Sequence, residues 1–100
     1  MIRHIVMFKL KIRDDEEHLA EVKNEIKIRL DSLPGKINVI RSMEVGINVV
    51  RSERAYDLVL VSSFDNLDDL ETYRVQPAHQ EVVEFIANHK DQSAAVDFVV

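Results

Sequence analysis

Apolar residues along this chain repeat with two different spacings, and the changes between them mark out the elements. Ile2 to Leu10 is rich in strand formers and bounded by the charged stretch Lys11 to Glu17, so it is predicted as strand one. Asp14 or Asp15 can cap the helix that follows, with acidic side chains in its first turn favoured by the macrodipole. Leu19, Val22, Ile26, Leu30 and Leu33 form one helical stripe, which Pro34-Gly35 ends. Between Ile37 and Val50, Met43, Val45, Ile47 and Val49 alternate with polar or small residues, predicting a second strand with a bend at Gly46. Arg51 to Arg54 turns the chain, and Tyr56 to Phe64 is a third strand. Asn66 caps a short acidic helix to about Tyr73, a longer helix begins near Pro77, and Ser93 to Val100 closes as a fourth strand. The order β-α-β-β-α-β is a split βαβ arrangement, and right-handed crossovers favour an α+β fold with an antiparallel sheet ordered 4-1-3-2 and all helices on one side.

If the helices cover one face, the other should turn polar where it meets water. Yet Ile5 and Met7 in strand one, and Val59 and Val61 in strand three, lie between neighbours that are just as apolar. Both faces therefore read as buried. A chain of 100 residues has no spare element for the second face, so a second copy is the economical cover: a homodimer packed through Ile5, Met7, Val59 and Val61. The competing expectation is a monomer whose outer face is relieved by Arg3, Lys9, Asp57 and Ser63.

Composition narrows the classes. Residues 1–100 fit one domain, and 46% hydrophobic with 31% charged residues is a globular balance. A formal charge of −5 with interspersed signs gives no basic stripe for nucleic acid and no polybasic segment for a membrane surface. The absence of cysteine removes disulfides and thiolate chemistry. The start, Met1 to Leu10, has too short an apolar run for a signal peptide or span, which predicts a cytoplasmic protein.

The chemistry concentrates at one corner. Pro77 suits a first helical position, and His79, Val82, Val83 and Ile86 then share one face, so an imidazole points inward where packing alone would select Leu. Strand one runs antiparallel to strands three and four, which brings His4 near Phe64 and Phe98, and the long helix must start at that same end. Tyr73 is confined there too. With His4, Val6 and Phe8 on one face of strand one and Leu58 and Leu60 on one face of strand three, two imidazoles and a phenol share an apolar ligand pocket that Val83 helps to line. A neutral imidazole can take or give a proton while a tyrosine hydroxyl polarises a carbonyl oxygen, making His79 a candidate general acid/base assisted by Tyr73 and His4. A structural role, with the histidines bonding each other or a backbone carbonyl, is the alternative. Asp97 is placed to pair with Arg3 or His4 across the ladder, or to face water. His18 lies off the apolar stripe and is read as solvated, and His89 lies near a helix C-terminus where its cation is favoured; neither is a site candidate. The acidic cluster Asp65, Asp68, Asp69 and Glu71 is explained as helix N-terminal charge. No cofactor is implied, and no ligand spacing predicts a metal.

As a set, His4-Ile-Val-Met-Phe-Lys-Leu, Glu44-Val-Gly-Ile-Asn, Ala55 to Phe64, Tyr73 through Pro77-Ala-His79 to Phe85, and Val96-Asp-Phe resemble the stress-responsive A/B barrel (Dabb) domain proteins. The resemblance implies a ferredoxin-like subunit and a dimeric α/β barrel. It implies less about activity: most members have none assigned, some plant relatives are linked to stress tolerance, and members that cyclise polyketides use the residues matching His79 and Tyr73. Gln76 stands where the family motif usually carries His, and Leu58 where cyclase-type relatives carry a polar ring; both argue against polyketide cyclisation. Some relatives hold a divalent ion near the subunit interface. Three expectations follow: cofactor-free acid/base chemistry on a small carbonyl compound, a non-catalytic stress-related binding or structural oligomer, or a cofactor-independent monooxygenase of the related barrel class.

Overall fold

The computed structural model describes residues 1–100. Its elements run β1 (Ile2–Leu10), α1 (Glu16–Asp31), β2 (Ser42–Ile47), β3 (Leu58–Phe64), α2 (Leu67–Val75), α3 (Pro77–His89) and β4 (Lys90–Val99), with one turn of 3-10 helix at Leu33–Gly35. The strands form one antiparallel sheet in the order β2-β3-β1-β4, the predicted 4-1-3-2 order read from the opposite edge.

Local chemistry sets the boundaries. The Asp15 carboxylate accepts from the His18 amide at 3.0 Å and the Asn66 side chain accepts from the Asp69 amide at 2.8 Å, each satisfying a donor that the first turn of its helix leaves open. Leu19, Val22, Ile26, Leu30 and Leu33 are buried as one stripe. The second strand is shorter than predicted because Ile37 and Ile40 fold into the core from a turn held by the Leu33 and Ile37 carbonyls, while Val49 leaves the ladder into solvent. No bend occurs at Gly46, which pairs with Val59 in a regular ladder. A Cβ there would come within 3.1 Å of Val59 Cγ1, so a side chain at this position would make that valine give way by a few tenths of an ångström. The last strand begins at Lys90, three residues early, because α3 passes into it without a loop; a register shift at Lys9/Leu10 absorbs the join.

Ile2, Phe8, Leu10, Leu58, Leu60, Phe64 and Val45 face the helices and form one core with the stripes of α1, α2 and α3. The other face carries Ile5, Met7, Val59 and Val61 in register, extended on β4 by Val96 beside Ile5 and Phe98 beside Arg3. Met7 is 39% exposed, Phe98 41% and Val96 61%. Of the four polar residues that could have relieved this face, two do not. Ser63 is buried, and Asp57 is buried at the sheet's end, where its carboxylate takes the Leu10 amide at 2.7 Å and the Arg13 guanidinium. No helix is long and apolar enough to cross a membrane.

Candidate active site

The break between α2 and α3 creates the site. A residue preceding proline avoids helical backbone, and Gln76 is extended (φ −66°, ψ 135°), so the chain turns sharply and restarts at Pro77. The turn leaves the Arg74 carbonyl, in the last turn of α2, without a helical donor. The His79 Nδ1–H donates to it at 3.0 Å and the Gln80 side-chain amide donates as well. Because a carbonyl only accepts, this bond places the proton on Nδ1 and leaves Nε2 as an open lone pair in the neutral ring. Burial is the main cause holding the His79 pKa below the ordinary histidine value of 6.5; the Arg74 carbonyl opposes that shift and the charges of His4 and Arg74 reinforce it. His79 is therefore a neutral base at physiological pH.

Tyr73 sits between the two imidazoles. Its ring centroid is 4.2 Å from that of His79, 6.3 Å from that of His4 in an edge-on arrangement, and 5.0 Å from that of Phe64. Only 1% of Tyr73 is exposed, and burial raises its pKa far above the usual phenol value, so the hydroxyl keeps its proton and acts as a donor. That hydroxyl has no hydrogen-bond partner within the chain and is not among its sealed, unpartnered polar groups, and the residue lines the cavity. His4, on the helix-facing side of β1, pairs through Nδ1 with the Asp97 carboxylate of β4 directly across the ladder. An ionised carboxylate only accepts, which fixes the proton on that nitrogen as well. Of the positions open to Asp97, the one taken is beside His4 rather than Arg3, because His4 and Asp97 project to the same face.

These side chains close one end of a cavity of about 150 Å³. Val6 and Phe8 of β1 and Leu60 of β3 form its floor, and Val83 forms part of the rim at 42% exposed. Leu58, expected to line the same pocket, does not reach it. Leu58 is 2% exposed, pairs with Phe8 and Ile47 toward the β2 side, and borders a separate open groove with Tyr56 and Met7. Period-two alternation gives the face of a strand but not how far a cavity extends along it. Four lining residues escaped the sequence reading of the pocket. Leu30, Val82 and Ile86 were legible only as helix stripe, and Lys90 had no signal because its position depends on α3 running directly into β4.

A four-stranded antiparallel sheet with helices on one side and a cavity between the layers is a ferredoxin-like subunit. The chain belongs to the Stress Responsive A/B Barrel Domain (Dabb) family, whose pattern covers residues 2–100. An uncharacterised protein of Streptomyces coelicolor is 37% identical over 83 residues, 80% of each chain. The crystal structure of a dimeric protein of unknown function with a ferredoxin-like fold from Bacteroides fragilis is also 37% identical, with a TM-score of 0.89, covering 99% of this chain and 95% of that one. The hydroxynitrile lyase of Passiflora edulis shares the fold, with a TM-score of 0.81 over 99% of this chain and 92% of its own, at 13% identity.

Proposed function

We propose that the protein is a homodimer whose subunits each carry out cofactor-free proton transfer on a small carbonyl compound. The observation that carries the chemistry is the pairing of an open imidazole nitrogen with a protonated phenol at 4.2 Å ring separation, in a cavity with an apolar floor. A carbonyl oxygen placed at the Tyr73 hydroxyl accepts its hydrogen bond. The adjacent carbon is then positioned to give a proton to His79 Nε2, and the charge left behind moves to the oxygen that Tyr73 holds. Return of the proton from His79 completes an exchange or an isomerisation, and the reverse sense suits lyase or cyclase steps. His4, held by Asp97, is the second proton carrier or an orienting group. The apolar outer face and the dimeric state of the Bacteroides fragilis relative support the homodimer, with Ile5, Met7, Val59 and Val61 at its centre.

The test is deuterium exchange at the α-carbon of small ketones and aldehydes, followed by NMR in heavy water. His79→Gln is the informative variant, because its amide can still donate to the Arg74 carbonyl. Loss of at least about a hundredfold in exchange, with unchanged dimer mass and unfolding temperature, is the expected result. Exchange that persists in His79→Gln rejects the proton-transfer role and leaves a binding or structural oligomer, in which the imidazole serves only to close the α2–α3 break.

A further inference from the structure

The cavity has a second polar end. α3 carries His79 in its first turn and delivers Lys90 just past its last residue, and both residues line the same space. At about 1.5 Å per residue the helix separates the two backbones by roughly 16 Å. On the floor, His4 and Phe8 lie four residues apart on β1, about 13 Å at roughly 3.3 Å per residue, and Lys90 pairs with Leu10 just beyond. A lysine stem is long and flexible enough to fold back along this floor, which leaves a medium-length carbon chain between its ammonium and the Tyr73 and His79 end. Between the ends the walls are apolar: Val6, Phe8, Leu60, Val82 and Ile86.

The charge inventory of the cavity is one-sided. No carboxylate lines it, and Lys90 takes part in none of the chain's ion pairs. Both Nδ1 protons of the imidazoles are already committed, to Asp97 and to the Arg74 carbonyl. Lys90 is therefore the one lining residue that carries a full charge with no anion assigned to it. This is notable in a chain of formal charge −5.

The geometry points to a bipolar ligand: a medium-chain carboxylate whose carboxyl group is held by Lys90 and whose apolar chain lies along β1, presenting its other end to Tyr73 and His79. In terms of substrate class this is an oxo acid or aldehyde acid, with the carbonyl at the end remote from the carboxylate. The assignment rests on the proposal that this cavity is the working site, and it adds what selects the substrate. Lys90 is a partly exposed residue, and an ammonium contributes a charge-assisted bond to a carboxylate that a neutral amide of the same shape does not receive.

Hexanoate and hexanamide, matched in shape and different in charge, are the probes. Their affinities are read by titration at pH 7.5, with methyl chemical shifts of Leu60 and Val82 reporting that the cavity is the place occupied. Hexanoate is expected to bind about tenfold more tightly than hexanamide. Lys90→Met is expected to remove that preference by weakening hexanoate alone, and Lys90→Arg to keep it. Equal affinity of the two probes for the wild type, or a preference that survives Lys90→Met, overturns the lysine assignment and leaves the cavity standing. Failure of both probes to shift Leu60 and Val82 overturns the assignment together with the cavity as a ligand site. Lys90 lies outside the core, so an unchanged unfolding temperature of the unliganded Lys90→Met variant is the control for an intact fold.

Discussion

The two faces of the sheet are built from the same strands and nearly the same residue types, yet they have opposite fates within one subunit. On the helix side, apolar residues meet α1, α2 and α3, and among the exceptions His4, Ser62 and Asp97 hold hydrogen bonds while Ser93 faces water at the edge strand. On the other side Ile5, Val59 and Val61 are half-buried among their neighbours on the ladder, and Met7, Val96 and Phe98 are exposed. The comparison teaches that hydrophobicity alone does not tell core from interface. What separates them is whether the chain has an element left to cover the surface. Polar residues show the same contrast from the other direction. On the covered side His4, Ser62 and His79 are each tied to a partner, as expected where water is excluded, and the Tyr73 hydroxyl is left open beside the cavity.

Adjacent residues of β3 offer the sharpest way to break the comparison. Leu60→Ala empties space in the covered layer and is expected to lower stability by about 2–5 kcal/mol at every protein concentration, read from denaturant unfolding. Val61→Asp, one residue on, places a carboxylate opposite Ile5 at the centre of the outer face. The expected cost is about 2 kcal/mol or more per subunit, seen as monomer mass in sedimentation at micromolar concentration with an unaltered circular dichroism spectrum. If both substitutions act independently of concentration, the outer face is not an interface.

A smaller effect separates the two ends of the covered face. The His79 pKa is lowered in the folded protein, so in the window below 6.5 the unfolded chain binds more protons than the native state. The stability linked to this group is complete above that value and is lost as pH falls through the native pKa. Thermal unfolding between pH 7.5 and 5 should show this loss in the wild type and less of it in His79→Gln. Equal slopes would mean that the imidazole titrates as it does in water. The smallest expected change is that of Asp97→Asn. Its partly exposed pair with His4 contributes below about 1 kcal/mol, so the readout is the nitrogen chemical shifts of the His4 ring, which should lose the preference for a proton on Nδ1.

The strand-one boundaries, both helix caps, the α1 stripe and the order of the sheet were all legible in the sequence, because each follows from spacing within a few residues or from the handedness of crossovers. The gathering of His4, Tyr73 and His79 was legible as well, since antiparallel pairing and helix length leave those residues one corner to occupy. The length of β2 was not, because Ile37 and Ile40 are as apolar as strand residues and only the core decides that they plug it from a turn. Nor was Leu58's absence from the cavity, because period-two alternation gives a face and not how far a cavity runs along it. Which residues face which layer follows from local spacing, because side-chain direction is a local property of a strand or helix. Tertiary structure alone decided which nitrogen of each imidazole is left open, and that Lys90 shares a cavity with them. Those facts depend on a carbonyl, a carboxylate and a strand start supplied by segments distant in the chain or turned by a helix break, and no local pattern encodes such distances.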